Sequence, residues 1–138
     1  MGEKVIVNNS EFTEIKYPNV ALSSLGFKVI AFTNWHSNYP KVYTQILNKT
    51  NERIGLNFSE VDNYKKFNQY QSSVTFYTPT NFVVVWNDDR KGCLRENIFG
   101  QNYIIDETHL GYNYKISWYK NSFFPEVVSA ENGLYTVV

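Results

Sequence analysis

The feature that most restricts what this chain can fold into is an internal recurrence. Val20, Val74 and Val127 stand about 53 to 54 residues apart, each inside a similar run: Tyr17-Pro18-Asn19-Val20-Ala21-Leu22, Gln71-Ser72-Ser73-Val74-Thr75-Phe76 and Phe124-Pro125-Glu126-Val127-Val128-Ser129. A second apolar run follows each of them, opening at Gly26, Asn81 and Gly133. Two further markers keep the phase. Tyr43-Thr44-Gln45 matches Phe99-Gly100-Gln101, and Gly55-Leu56-Asn57-Phe58 matches Gly111-Tyr112-Asn113-Tyr114. A fixed period of this kind means that one structural unit is laid down several times, and it has to be read before any single residue.

The unit is extended. Eleven Tyr, ten Phe and three Trp join many β-branched residues, and such side chains suit pleated, half-buried surfaces. Strong helix formers such as Ala are scarce. Gly, Pro, Asn, Asp and Ser bound the runs and predict strands near 19–24, 26–33, 41–48 and 56–61, then near 73–78, 81–87, 97–104 and 112–118. One strand is expected near 4–8 and two more near 126–130 and 133–138. Four short strands in a unit of this length are the sequence signature of a β-propeller blade. The fold class expected is therefore all-β, with four-stranded antiparallel propeller blades in about two and a half units. Residues 1–10 would be the closing strand of a preceding blade, 11–65 and 66–120 two whole blades, and 121–138 the first strands of a further, incomplete one. Rings need about four to eight blades, so the expectation is a part of a larger propeller, completed by further segments or further copies of the chain.

The second unit, from Asn81-Phe82-Val83-Val84-Val85-Trp86-Asn87-Asp88-Asp89-Arg90-Lys91-Gly92 to Ile98-Phe99-Gly100-Gln101-Asn102-Tyr103, resembles the tandem propeller-like repeats of large extracellular and surface proteins. Their pattern is of the type F-V-V-W-x-D-x-R-x-G, then I-Y-x-Q-x-F, then G-x-x-x-x-V-N. The Gly55 and Gly111 segments and Glu3-Lys4-Val5-Ile6-Val7-Asn8 correspond to its closing strand. The resemblance implies a structural repeat with no catalytic residues to carry over, at an extracellular or cell-surface address. The first unit departs from it, with Asn34-Trp35-His36-Ser37 where the second has the Asp-Asp-Arg turn.

Charge narrows the partners. Thirteen basic and thirteen acidic residues give a formal net charge of zero, with no basic footprint for nucleic acid. The longest apolar runs, such as Phe82 to Trp86, are too short to cross a bilayer as a helix, so no direct membrane insertion is expected. The start, Met1-Gly2-Glu3-Lys4, lacks the apolar stretch of a signal peptide. Cys93 is the single cysteine, which rules out an internal disulfide.

Several residues could carry chemistry. Asp88, Asp89 and Arg90 follow a strand directly, and an Asp pair supplies the hard oxygen ligands that Ca²⁺ takes. The plainer reading is a turn capped by Asp, with Arg90 paired to a carboxylate. Trp35 is the tryptophan expected to be partly exposed and able to stack on a sugar; Trp86 should be core, and Trp118 lies between units. His36 and His109 show no metal spacing, and Cys93 no base at hand. Asp62, Glu96 and Asp106 could serve a glycosidase only if a pair converged. Of the sequons at Asn8, Asn48 and Asn57, Asn48 in its turn is the best glycan site. No phosphate loop or nucleophile elbow occurs.

These observations lead to a non-enzymatic structural or protein-interaction segment. A lectin-like propeller binding carbohydrate or a cation through Trp35 and the Asp88-Asp89-Arg90 turn is the alternative, and a glycoside-active enzyme stands behind it. The only cofactor weighed is Ca²⁺.

Overall fold

The structure, a computed structural model, describes residues 4, 6, 7, 12, 14–35, 38–61, 66–90, 92, 96–118, 122–130 and 132–138, with the side chains of 56–60 outside that description. The described residues form strands and turns without helices. The strands are β1 (Ile15–Leu22), β2 (Lys28–Asn34), β3 (Lys41–Leu47), β4 (Arg53–Glu60), β5 (Gln69–Phe76), β6 (Asn81–Asp88), β7 (Asn97–Ile104), β8 (His109–Lys115), β9 (Val127–Ser129) and β10 (Tyr135–Val137). They make two four-stranded antiparallel sheets, β1-β2-β3-β4 and β5-β6-β7-β8, and a two-stranded sheet of β9 and β10. Each sheet lies within one of the segments 11–65, 66–120 and 121–138. In the expected strand at 4–8, the described residues Lys4, Ile6 and Val7 have no strand assignment; Val5 and Asn8 lie outside the description.

The two larger sheets share their irregularities. The β1–β2 pairing runs from Ile15 with Asn34 to Leu22 with Lys28, and the β5–β6 pairing from Gln69 with Asp88 to Phe76 with Phe82. Both shift register at the same place, between Lys16 and Asn19 and between Tyr70 and Ser73. There Tyr17 and Gln71 adopt φ of 53° and 55°, and Phe124, just before β9, adopts 55°. The shifts at Tyr17 and Gln71 are β-bulges, in which extra residues leave the ladder and bend the strand. Pro18 is tolerated because a bulge needs no ladder N–H there. β1 and β5 consequently begin four residues before the sequence reading placed them, which took the bulge for the strand's limit.

A second bulge explains the early starts of β4 and β8. Register shifts between Thr44 and Ile46 and between Gly100 and Asn102, opposite Gly55 and Gly111, whose φ of 75° and 80° only glycine adopts readily. The sequence reading took these glycines as turns ahead of the strands; they lie inside them. The buried Gln45 and Gln101 sit at the bulges and donate side-chain N–H bonds to Ile46 O (3.0 Å) and Asn102 O (2.9 Å), serving backbone acceptors near the interrupted ladder.

Strand alternation then builds two cores. Even-numbered side chains of β6 (Phe82, Val84, Trp86) join Val74 and Phe76 against Val29, Ala31, Val42 and Ile46 of the first sheet. The odd-numbered Val83 and Val85 join Ile98 against Val127, Tyr135 and Val137 of the two-stranded sheet. Because side chains point to opposite faces in turn, the second sheet is buried on both sides, which is why β6 reads as an unbroken apolar run.

The edge strands β1, β5 and β9 lie side by side. Side chains bridge them where the ladder does not: Asn19 Oδ1 accepts the Val74 N–H at 3.2 Å, and Ser73 Oγ accepts the Val127 N–H at 3.2 Å. Farther out, Tyr103 O–H donates to Val61 O at 2.7 Å and Lys41 Nζ to Phe67 O at 2.9 Å.

Candidate binding face

Antiparallel order places the hairpin turns after β1, β3, β5 and β7 at one end of the sheets. The β2–β3 and β6–β7 connections, with the bulged starts of β1 and β5, stand at the other end. On that second end, the positive-φ residues Tyr17, Gln71 and Phe124 line one cavity of about 160 Å³, together with Asn19 and Glu126. Tyr17 and Phe124 are exposed, and Gln71 Oε1 accepts from Asn87 Nδ2 at 2.8 Å.

Trp35 sits beside this mouth, half-buried. Its ring centroid lies 6.2 Å from that of Tyr70, and Lys16 Nζ stands 4.7 Å over the indole. Burial pushes the Tyr70 phenol well above the usual tyrosine range; the hydrogen bond and negative charge of Glu96 add to this, then the charges of Asp89 and Tyr17. Two buried polar atoms here have no hydrogen-bond partner, Trp35 Nε1 and Glu96 Oε2. The group thus offers an aromatic face, a donor and an acceptor. Burial also raises the Tyr77 and Tyr114 phenols, Tyr114 sharing a 2.5 Å O–H···O contact with Tyr135.

These shifts fix the sign of an alkaline effect. The unfolded chain ionises its tyrosines near pH 10, while the folded one keeps Tyr70 and Tyr114 protonated beyond that. The stabilisation is fully present below about pH 10 and is lost as pH rises through the folded values. Denaturant midpoints measured from pH 8 to 11.5 are expected to fall above pH 10, and less steeply in Tyr70→Phe; a flat profile would contradict the burial of these phenols.

The Asp88-Asp89-Arg90 turn is closed upon itself. Asp88 is fully buried: Oδ2 accepts from Trp86 Nε1 (3.1 Å) and Arg90 Nη2 (2.5 Å), and Oδ1 from Arg90 N and Nε, both 2.8 Å. The guanidinium lies 4.0 Å over the Phe99 ring. Asp89 accepts from Asn68 N (2.8 Å) and Nδ2 (2.7 Å). Both carboxylates are held by their own chain, so the turn and Trp35 do not form one set of outward-facing ligands. Among the described residues, no three His, Cys, Asp or Glu side chains are grouped to hold a metal.

The other candidates scatter. Asn48 lies at the opposite end in the β3–β4 hairpin, its Oδ1 accepting from Thr50 N (2.9 Å), Thr50 Oγ1 (2.8 Å) and Glu52 N (2.9 Å). Glu96 and Asp106 flank the eight-residue β7, roughly 25–30 Å of extended chain, so they do not converge. His109 is exposed, edge-on to Tyr103 at 4.8 Å. His36, Asp62, Cys93 and the Asn8 sequon lie outside the described residues, as does the side chain of Asn57. Trp86 is core, as the sequence implies, but Trp118, not Trp35, is the most exposed tryptophan at 94%.

Sequence reasoning missed Tyr70 as the partner of Trp35, because the two meet only through packing between sheets. It also missed the three positive-φ residues Tyr17, Gln71 and Phe124 as a set, although their place ahead of Val20, Val74 and Val127 was the available signal. Comparison of the chain with protein-family models, with curated proteins and with solved structures gives no match in any of the three.

Proposed function

We propose that the chain is a non-enzymatic segment of a β-propeller, a structural or protein-interaction module of a larger extracellular or cell-surface assembly. Residues 11–65 and 66–120 are its two blades, 121–138 opens a third, and 1–10 belongs to the outer part of a preceding one. One observation carries this reading: the contact between the first and second sheets recurs between the second and third. Val29, Ala31 and Val42 in the first contact have Val83, Val85 and Ile98 as counterparts in the second. The Asn19 to Val74 bridge has its counterpart in Ser73 to Val127. Stacking of equivalent sheets through equivalent residues is how repeat architectures bury a continuous core. The Asp88 and Asp89 carboxylates are engaged within the fold, which supports a scaffold over a cation site at that turn.

A second reading has one specific observation behind it. Trp35 Nε1 and Glu96 Oε2 are unpartnered beside an aromatic pair, which suits a neutral sugar. Melting curves in calcium and in chelator, together with a glycan array, separate the two. The scaffold reading expects no calcium shift and no glycan bound; a glycan whose binding disappears in Trp35→Ala overturns it in favour of the lectin-like one.

A further inference from the structure

The first sheet carries apolar residues at the face positions that are covered in the second sheet. The register of the strand pairs makes Val20, Leu22, Ile30 and Phe32 the counterparts of Val74, Phe76, Val84 and Trp86. In the second sheet those positions are buried against the first sheet. In the first sheet Val20 and Leu22 stand 66% and 65% exposed and Ile30 is half-buried, while Phe32 is buried against Tyr43. An apolar cavity of about 520 Å³, lined by Ile15, Pro18, Ile30 and Phe32 with Lys4, Ile6 and Val7 alongside, lies on that face.

What covers the equivalent face of the second sheet is a row of small aliphatic side chains, among them Ala21, Val29 and Ala31. The β9–β10 pair presents the counterparts of that row on its outer side. Val127 and Val137 pair across β9 and β10 as Val74 and Val84 pair across β5 and β6, with Val137 turned toward the second sheet. Val128, Thr136 and Val138 therefore point the other way, and all three are exposed. At the bridging positions Asn19 and Ser73 accept the N–H groups of Val74 and Val127, and at the third such position Glu126 Oε2 accepts the Ser73 hydroxyl at 3.0 Å. The molecule carries both halves of one interface on opposite sides.

We propose that the open face of the first sheet docks a second copy of this chain, head to tail, with the outer side of that copy's β9–β10 pair laid on β1 and β2. The proposal rests on the reading of the sheets as successive blades. A head-to-tail contact uses different patches on the two partners and closes into a ring or extends as a filament.

Light scattering over a concentration series up to about 1 mM, the weak end of specific association, tests it with two variants. Val20→Asp with Leu22→Asp disables one face, and Val128→Asp with Val138→Asp disables the other. The wild-type mass is expected to rise above the 16.2 kDa of one chain, each variant alone to stay a single chain, and an equimolar mixture to form a complex of two chains. Should either double variant lose its β circular dichroism, Val20→Lys and Val138→Lys replace it. A wild-type protein that remains a single chain overturns the proposal, as does a variant that still associates with itself, since that would mean like faces pairing. Hydrogen exchange separates this failure from that of the blade reading: protected Val74 and Val127 amides in a single-chain protein leave the blades standing, and freely exchanging ones remove both.

Discussion

Replacing Trp86 by alanine is expected to lower the unfolding free energy by about 3–5 kcal/mol, the range for truncating a fully buried large aromatic. The side chain is wholly buried between the first and second sheets. Its loss leaves a cavity bordered by both sheets, which cannot collapse without moving one against the other. It also strips the N–H bond from Asp88 Oδ2. Total stabilities of about 5–15 kcal/mol are usual, so this one change removes a large share. Trp86→Phe should cost far less, about 1–2 kcal/mol, because Phe32 already occupies the corresponding place in the first sheet and the main loss is one hydrogen bond and part of the volume. Denaturant titration followed by circular dichroism measures both. An alanine variant within 1 kcal/mol of the parent would show that this indole does not hold the sheets together.

Much of the fold was legible because the same physics was written three times. The apolar run of β6 announced a strand buried on both faces, and the recurring Val20, Val74 and Val127 announced equivalent edge strands. What misled was local: Gly55, Gly111 and Pro18 are ordinary turn signals, and only the facing strand reveals that they mark bulges inside a ladder. A bulge and a turn use the same residues for the same reason, a backbone outside the ladder, so a single sequence does not separate them.

The candidate site was less legible. Trp35 is half-buried while Trp118 is the exposed tryptophan, and the groups around Trp35, Lys16 and Tyr70 with the Glu96 that Tyr70 bonds, come from three other places in the chain. Their meeting depends on how β5 sits beside β1 and β2, which no local pattern encodes. The Asp88-Asp89-Arg90 turn was legible in kind, since both its uses follow from the residue types, but not the N–H groups of Trp86 and Asn68 that bond its carboxylates, which come from β6 itself and from the segment before β5.

That turn supplies the second large effect. Arg90→Ala is expected to destabilise the protein by about 3–5 kcal/mol, since it leaves the Asp88 charge buried without its partner. The Arg90 side chain is 9% exposed and that of Asp88 0%, so solvent does little to soften the loss. Asp88→Asn should cost less than this, because the amide oxygen still accepts from either Trp86 or Arg90 N. The double variant should be more stable than the sum of the two losses implies, with a coupling of at least about 2 kcal/mol. Measuring the cycle in chelator and again in millimolar calcium decides what the turn is for. Equal losses in both solutions assign Asp88 to the fold; a loss that appears only with calcium would place a cation at the turn and return the lectin-like reading to the front.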